Sequence, residues 1–231
     1  MKNLKNTIVV ITGASSGIGR ACVPLFVEQG ARVALISRRR EALDEVAAEY
    51  PEACLAVAAD VTDETSVAAA FSEIEKKWGS PDILINNAGV GFATDLSTCS
   101  LEDYRQILDT NLTGVFLCTR AVLPGMKTRS SGHIINVSSV VGKVSNPNAP
   151  LYCASKHALN GYTSGLQQQV AKAGIRVSSV SPAAVDTAYW DGRDVNRALF
   201  LKASEVAEVI LFVATRPEGV LIKDVDLCAQ R

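Results

Sequence analysis

Short apolar runs alternate with longer helical patterns along the chain, and this alternation restricts the possible folds more than any other feature. The strand candidates are residues 7–11, 32–36, 54–58, 83–86, 133–137, 176–180 and 225–227. The helix candidates are residues 20–28, 41–49, 64–78, 104–126, 152–171 and 204–214. The apolar runs are continuous rather than alternating in polarity, which is typical of strands buried on both faces of a parallel sheet.

This succession of strands and helices predicts an α/β fold, because right-handed crossovers place each new strand parallel to the last. We expect a single doubly wound, Rossmann-type domain, with a parallel sheet of about seven strands and helices on both faces. No linker, repeat or low-complexity tract divides the 231 residues, so the domain is expected to span residues 1–231.

Composition excludes several classes of function. The net charge of -1 gives no electrostatic basis for binding nucleic acid or an anionic membrane surface. Charged residues, glycine or proline interrupt every apolar run, so no membrane span is expected, and the run at residues 8–11 is too short for a signal peptide. Six scattered cysteines and two histidines predict neither a disulfide framework nor a metal site. We expect a reduced, cytoplasmic protein.

Two helix candidates are more apolar than contact with one sheet face requires. Their apolar side chains are Leu112, Val115, Phe116, Leu117, Ala121, Val122, Leu123, Leu159, Tyr162, Leu166 and Val170. A helix that is apolar all round is buried on more than one side. A subunit interface, and hence a homodimer or homotetramer, is expected; the alternative is burial of these helices inside one chain.

A glycine-rich loop, T-G-A-S-S-G-I-G at residues 12–19, lies between the first strand candidate and the first helix candidate. Glycines permit a tight turn and let backbone N–H groups at a helix N-terminus approach an anionic pyrophosphate. The position between strand and helix predicts a dinucleotide site that includes Gly13, Ser15, Gly17 and Gly19. The alternative is a glycine-rich turn without a function.

Three arginines, Arg38, Arg39 and Arg40, follow Ser37 at the end of the second strand candidate. An acidic residue there would select NAD through the adenosine ribose, and none is present. Cations at a helix N-terminus are locally unfavourable, whereas a 2′-phosphate between them would form charge-assisted hydrogen bonds. NADP(H) is therefore the predicted cofactor, with Ser37, Arg38 and Arg39 at its phosphate; a solvated run of charges is the alternative.

Two further segments follow strand candidates at the same edge of the sheet. Asp60 and Val61 are expected to hold the adenine. Asn87, Ala88 and Gly89 follow the fourth strand candidate, and ligands of doubly wound sheets bind along the carboxyl edge. Asn86 and Asn87 are also good turn formers, so their assignment to the cofactor site depends on their position at the end of the strand.

Tyr152 and Lys156 lie four residues apart at the start of a helix candidate and therefore share one helix face. A nearby ammonium favours the phenolate form and would lower the tyrosine pKa from its usual value of about 10. The pair could donate a proton to a carbonyl oxygen or remove one from an alcohol.

Hydroxyl and amide groups complete this predicted site. Ser138 and Ser139 follow the fifth strand candidate, and the spacing to Tyr152 favours Ser139 as the group that polarises the substrate carbonyl. Asn111 interrupts a helical stretch, where asparagine is an indifferent helix former. It either holds a water that relays protons to Lys156 or shapes a kink.

In order and spacing, these motifs resemble the short-chain dehydrogenase/reductase family, in its compact one-domain branch, from Thr7 to about Thr187. The resemblance implies that Tyr152 is the acid/base, Ser139 orients the carbonyl, Lys156 binds the nicotinamide ribose and Asn111 holds the relay water. It also implies cofactor contacts for Ser16, Ile18, Asn87 and Arg38, and for Pro182 and Thr187, with Ala183 where the family has glycine.

The segment after Thr187 is short for this family, so a small substrate lid is expected near residues 183–203. Tyr189 and Trp190 either line the substrate pocket or anchor the lid. The C-terminal residues resemble those of compact members that act on pterin side-chain ketones or 3-hydroxy acids.

The sequence thus predicts an NADP(H)-dependent oxidoreductase that transfers hydride between nicotinamide and a ketone, an aldehyde or a secondary alcohol. The alternative enzymatic function is an NADP+-dependent dehydrogenase of a hydroxy acid or other small alcohol. The alternative non-enzymatic function is a catalytically silent NADP(H) sensor or scaffold. The presence of Asn111, Ser139, Tyr152 and Lys156 together argues against a silent protein.

Overall fold

A seven-stranded parallel sheet forms the centre of the structure, a computed structural model that describes residues 3–230. The strands of this sheet are β1 (Ile8–Thr12), β2 (Arg32–Ser37), β3 (Cys54–Ala58), β4 (Ile83–Asn86), β5 (Gly132–Val137), β6 (Ile175–Pro182) and β9 (Asp224–Leu227). Their order is β3-β2-β1-β4-β5-β6-β9, and every neighbouring pair is parallel. The order reverses between β1 and β4, which places a ligand-binding crevice at the carboxyl ends of these strands.

Seven α-helices cover the sheet on both faces, which confirms the predicted doubly wound α/β domain. They are α1 (Gly17–Glu28), α2 (Arg40–Ala48), α3 (Glu64–Trp78), α4 (Leu101–Leu108), α5 (Gly114–Thr128), α6 (Pro150–Val170) and α7 (Ala203–Ala214). One core cluster joins α1, α2 and α7 to the sheet, and the other joins α3, α5 and α6 to the opposite face. Central strands are buried on both faces as expected, whereas β9 is half exposed because it lies at the sheet edge.

The helix predicted over residues 104–126 is instead three segments. A π-helical turn, Asp109–Thr113, separates α4 from α5. The Asn111 side chain at this turn bonds to a neighbouring loop, and Gly114 after it packs against Val61, where a Cβ would lie 2.9 Å from Val61 Cγ2. Insertions of this kind are frequent at functional sites. The π-helical turn at Asn111 therefore agrees with the alternative that this residue shapes a kink in the helix.

The segment after β6 forms a small layer of its own. It contains the two-residue strands β7 (Val185–Asp186) and β8 (Leu201–Lys202), which pair in parallel, and single turns at Ala188–Trp190 and Arg197–Leu199. This layer occupies most of the region in which we expected a lid.

Most of the apolar side chains that predicted a subunit interface pack within the chain. Val115, Leu117, Val122 and Leu166 are buried, whereas Phe116 is exposed. Self-association stays a prediction. Within residues 3–230, no helix is both long and apolar enough to cross a membrane. No group of three or more His, Cys, Asp or Glu side chains in that range could hold a metal ion, and the six cysteines are free.

Candidate active site

A cleft of about 1050 Å³ opens at the carboxyl edge of the sheet, where the strand order reverses. It brings together nearly all of the site residues predicted from the sequence. Those that line it are Gly13, Ser15, Ser16, Gly17, Ile18, Ser37, Arg38, Arg39, Asp60, Val61, Asn87, Ala88, Gly89, Ser139, Tyr152, Lys156, Pro182, Thr187, Tyr189 and Trp190. Gly19 and Asn111 do not line the cleft and lie in the layer behind it, so their cofactor and proton-relay roles stay predictions.

The glycine loop is held tightly against the end of β4. Gly13 adopts a φ of +67°, and a Cβ on Gly19 would lie 2.4 Å from the Gly13 carbonyl oxygen. Asn87 donates its side-chain N–H to the Thr12 carbonyl (2.9 Å), and its backbone N–H donates to the Thr12 hydroxyl (3.0 Å). The loop therefore has a fixed shape, with Gly17 and Ile18 at the start of α1 facing the cleft.

The three arginines after β2 have different surroundings. Arg40 forms an ion pair with Asp44 one turn along α2 (2.9 Å) and does not line the cleft. Arg39 reaches the Ser15 hydroxyl (3.4 Å), and Arg38 forms no ion pair with a described acid. Asp44 thus offsets part of the unfavourable charge at this helix start, and Arg38 and Arg39 carry the cleft-facing charge.

A hydroxyl without a hydrogen-bond partner lies beside these arginines. The Ser37 Oγ atom at the end of β2 is buried and has no partner among the described residues. Buried hydroxyls normally have a hydrogen-bond partner, so the Ser37 hydroxyl is available to a ligand bound in the cleft. Two residues after the end of β3, Asp60 accepts hydrogen bonds from the backbone and hydroxyl of Thr62, which fixes its carboxylate at the cleft wall.

Tyr152 and Ser139 face each other at the inner end of the cleft. Ser139 ends the segment after β5; its hydroxyl donates to the Pro182 carbonyl and accepts from the Val141 N–H, both at 3.3 Å. Burial raises the pKa of the Tyr152 phenol above its usual range, and Tyr189 acts in the same direction, while a hydrogen bond with Ser139 lowers it. The lowering of this pKa that we expected from the Lys156 ammonium is not seen: burial is the largest cause of the shift, and the lowering contribution comes from Ser139.

Lys156 lies one helical turn after Tyr152 on the same face of α6. Its Nζ atom is 5.8 Å from the Tyr152 ring centroid and donates to the Val137 carbonyl at 3.0 Å. The side chain is almost fully buried, and this burial lowers the lysine pKa from 10.5 to about 8. The lysine is thus still largely charged at neutral pH, in a place with little water.

Asn111 has all of its side-chain hydrogen-bonding groups engaged. Its oxygen accepts from the Val90 N–H (2.8 Å), and its nitrogen donates to the Val90 carbonyl (2.8 Å) and the Ser155 hydroxyl (3.0 Å). The amide therefore joins the π-helical turn to the loop after β4 and to α6. It shapes the wall behind Tyr152 and Lys156, and its role in holding a relay water stays a prediction.

The lid residues form an aromatic cluster over Tyr152. The ring centroids of Tyr152 and Tyr189 are 6.4 Å apart, those of Tyr189 and Trp190 are 4.9 Å apart, and Trp190 packs on Phe200 at 5.0 Å. Tyr189 and Trp190 thus both anchor the lid and line the cleft. Thr187 lies against Gly17, closing the cleft beside the glycine loop.

Several residues of the site were missed by the sequence analysis. Gly91 lies in the loop after β4 and packs closely against Tyr152. A Cβ built on it would lie 2.6 Å from Tyr152 Cδ2. Arg193 enters the cleft from the lid. Ser138, the other serine candidate after β5, was not missed; its buried hydroxyl has no partner among the described residues. The glycine two residues after N-N-A-G was a signal for Gly91. No local pattern marks Arg193, since only the fold brings it to this place.

The lowered pKa of Lys156 predicts a pH-dependent stability that the variant Lys156→Met lacks. The folded protein loses this proton above about pH 8, whereas the unfolded chain keeps it until near 10.5. Between these values the unfolded state binds more protons, so the free energy of unfolding rises with pH, by up to about 3 kcal/mol. Urea unfolding of the cofactor-free protein across this range measures the difference between wild type and variant. A difference that is flat or falls with pH would contradict the assignment.

The residues around the cleft fit a nicotinamide dinucleotide with a 2′-phosphate. A Cβ built on Gly13 would lie 2.9 Å from Asn87 Nδ2, so only glycine fits at this position of the loop. The loop leaves room for a pyrophosphate at the start of α1. The unpartnered Ser37 hydroxyl and the cleft-facing Arg38 and Arg39 suit a phosphate at the end of β2.

The fold and the site together define a short-chain dehydrogenase, and comparison with known proteins agrees. The family model for short chain dehydrogenases matches residues 7–197, so the chain belongs to this family and is an oxidoreductase.

Relatives extend the similarity over nearly the whole chain. An uncharacterized oxidoreductase of Staphylococcus epidermidis is 32% identical over 227 residues, covering 98% of this chain and 99% of the relative. A 3-ketoacyl-(acyl-carrier-protein) reductase from Brucella melitensis, solved with NADH, superposes with a TM-score of 0.93 at 30% identity, covering 99% of each chain. A serine dehydrogenase solved in its closed form with NADP+ superposes with a TM-score of 0.88 at 28% identity, covering 96% of this chain and 94% of that one.

Proposed function

We propose that this oxidoreductase is NADP(H)-dependent and reduces a small ketone or aldehyde, or oxidises the corresponding secondary alcohol. The observation that carries the proposal is one cleft that holds Tyr152, Ser139 and Lys156 at one end and the cleft-facing Arg38 and Arg39 at the other. The two solved relatives named above bind NADH and NADP+, so the family likeness leaves the cofactor open. The cleft-facing Arg38 and Arg39 support NADP(H).

When bound, NADPH supplies the hydride that adds to the carbonyl carbon. Tyr152 donates its phenolic proton to the carbonyl oxygen. Ser139 turns its hydroxyl hydrogen from the Pro182 carbonyl to the same substrate oxygen. Lys156 places a positive charge beside the tyrosine as negative charge develops there. Asn111 acts as a positioning residue, because its hydrogen bonds fix the loop at Val90 against α6.

The two directions of the reaction use opposite protonation states of Tyr152. Its raised pKa keeps the phenol protonated, which is the form needed to donate to a carbonyl oxygen. Oxidation would need the phenolate as a base, and so a higher pH. Dehydrogenation of a hydroxy acid remains the alternative reaction, with the same residues acting in reverse.

A silent NADP(H) sensor or scaffold would need only the cofactor half of the cleft. Such a protein would use Lys156 to bind the nicotinamide ribose, but it would gain nothing from the hydroxyls of Tyr152 and Ser139, which we assign to the substrate. We therefore assign the cleft to catalysis on a small molecule, with residues 183–203 as a lid over the substrate.

A screen of ketones, aldehydes and secondary alcohols tests the proposed function. Each compound is mixed with NADPH or NADP+ and followed at the nicotinamide absorbance. Turnover of a carbonyl compound by wild type, and none by Tyr152→Phe, is the expected result. Failure of every carbonyl and alcohol, with NADPH bound to the protein, would favour the sensor instead.

Arg38→Asp is expected to change the choice of cofactor. Loss of a charge-assisted bond to the 2′-phosphate, plus repulsion by the new carboxylate, should lower the NADPH-to-NADH ratio of kcat/KM by about 100-fold. Arg40→Asp is the matched control, because Arg40 is already paired with Asp44 and lies outside the cleft. Equal affinity of the wild type for NADPH and NADH would contradict the assignment; an unchanged ratio in Arg38→Asp alone would transfer the role to Arg39.

A further inference from the structure

Arg193 is a cation of the lid that no acidic side chain neutralises. Its Nη2 atom donates to the Gly91 carbonyl at 3.1 Å, and it forms no ion pair with a described acid. Its Cζ atom lies 4.4 Å from the Tyr189 ring centroid and 5.3 Å from that of Trp190. The guanidinium is thus held in place by one hydrogen bond and two aromatic faces, with its Nε and Nη1 groups unused by the described residues.

The second lid arginine shows what a purely structural role looks like here. Arg197 pairs with Asp186 and with Asp191 (2.8 Å), and it also donates to the Thr187 carbonyl (2.9 Å). These contacts close the loop between β7 and β8. The ion pairs of Arg197 therefore already hold the lid loop together, and Arg193 is not needed for that purpose.

Gly91 places Arg193 next to the reacting groups. A Cβ built on Gly91 would lie 2.6 Å from Tyr152 Cδ2 and 2.8 Å from the Tyr189 hydroxyl, so its backbone touches both tyrosines. The carbonyl of the same residue holds the Arg193 fork. A substrate whose carbonyl oxygen meets Tyr152 would thus extend toward Arg193 with its next few atoms.

The charges around the cleft favour an anionic substrate group at this end. Lys156 and Arg193 both line the cleft beside Tyr152. Of the described lining residues only Asp60 is acidic, and its carboxylate is engaged by Thr62 on the cofactor side after β3. A half-buried guanidinium with spare donors matches a carboxylate in geometry and charge.

Resting on the proposed oxidoreductase function, we propose that Arg193 binds a carboxylate of the substrate. The substrates are then short oxo acids, or hydroxy acids in the reverse direction, and neutral carbonyl compounds are poor substitutes. Stacking on Tyr189 and Trp190 orients the fork before the substrate arrives, which lowers the entropy lost on binding.

Paired substrates test this directly. Acetoacetate and methyl acetoacetate carry the same reacting ketone and differ in the charge of the distal group. Wild type should prefer the acid in kcat/KM by at least about ten-fold, and Arg193→Gln should lose about 100-fold on the acid, mainly through KM, and little on the ester. Arg193→Lys should recover part of the loss, because it keeps the charge without the fork. Oxo acids one and two carbons longer, with their esters, extend the series.

Arg216→Gln is the matched control. This arginine also stacks on an aromatic ring, with Cζ 3.8 Å from the Phe212 centroid, but it does not line the cleft. It should leave the preference for acid over ester unchanged.

Trp190 provides a readout that does not depend on turnover. The chain contains two tryptophans, so the Trp78→Phe background reports on Trp190 alone. With NADP+ present, acetoacetate should change the Trp190 emission in a saturable way, and this change should vanish in Arg193→Gln. The methyl ester should have little effect at the same concentrations.

The outcomes separate the two proposals. Tyr152-dependent reduction of the whole paired series without preference for acids, or an equal loss on acid and ester in Arg193→Gln, overturns the role of Arg193 and leaves the oxidoreductase function in place. No turnover of any carbonyl compound defeats the proposed function and this inference with it.

Discussion

Tyr152→Phe is expected to lower kcat/KM for carbonyl reduction by about a thousand-fold while NADPH binds nearly as before. The substitution removes the only proton that the proposed mechanism gives to the carbonyl oxygen. It keeps the ring, and so preserves the packing of Tyr152 on Tyr189 and on the Gly91 backbone. Steady-state rates and a fluorescence titration with NADPH measure the two effects separately.

Tyr162→Phe controls for the loss of a tyrosine hydroxyl in the same helix. Tyr162 is half-buried on α6 and does not line the cleft. Its variant should keep wild-type turnover. If Tyr152→Phe kept more than a tenth of the wild-type rate, another group would be the proton donor and the assignment would be wrong.

Gly19→Ala is expected to weaken NADPH binding by more than about 100-fold. The added Cβ would lie 2.4 Å from the Gly13 carbonyl oxygen and 2.7 Å from Asn87 Nδ2. Both atoms belong to the loop that we assign to the pyrophosphate, and neither can move without disturbing β1 or β4. Although Gly19 does not line the cleft, it therefore sets the shape of the cofactor site.

A calorimetric titration with NADPH measures this loss, and circular dichroism shows whether the fold persists. Gly219→Ala is the matched control, because a Cβ there meets nothing within 4 Å and its backbone φ is ordinary. It should bind NADPH as wild type does. Wild-type affinity in folded Gly19→Ala would show that the cofactor does not depend on the glycine loop.

The strands follow closely from the sequence because buried parallel strands leave a strong local signal. The apolar runs around Val10, Leu35 and Ile85 identify central strands to within about two residues of their ends. The helix over residues 104–126 was the main error. Its break depends on Asn111 bonding to Val90, a contact between distant segments that local periodicity cannot reveal.

The site follows from the sequence where its residues stand at strand ends or at helical spacing. Tyr152 and Lys156 share a helix face, and Ser139 follows β5, so their meeting is a consequence of the fold class. Their electrostatics were harder to predict. The pKa of Tyr152 depends on how deeply the lid covers it, and that burial comes from Tyr189, in a segment without a periodic pattern.

The arginines show both the value and the limit of local reasoning. Three consecutive arginines predict a phosphate site, but the pattern does not show which of them face it. The structure separates Arg40, paired with Asp44, from Arg38 and Arg39 at the cleft. Arg193 carried no signal at all, because its meaning depends on Gly91 and on the lack of a nearby acid.

Transfer of a labelled hydride tests the central claim most directly. Acetoacetate and a panel of neutral ketones are incubated with wild type and NADPH that carries deuterium at the transferable position, and the alcohol product is examined by NMR. We expect one deuterium on the new carbinol carbon, loss of the label when the labelled NADPH is replaced by unlabelled cofactor, and about a thousand-fold slower product formation by Tyr152→Phe. A product without deuterium, or equal product from Tyr152→Phe, would contradict it.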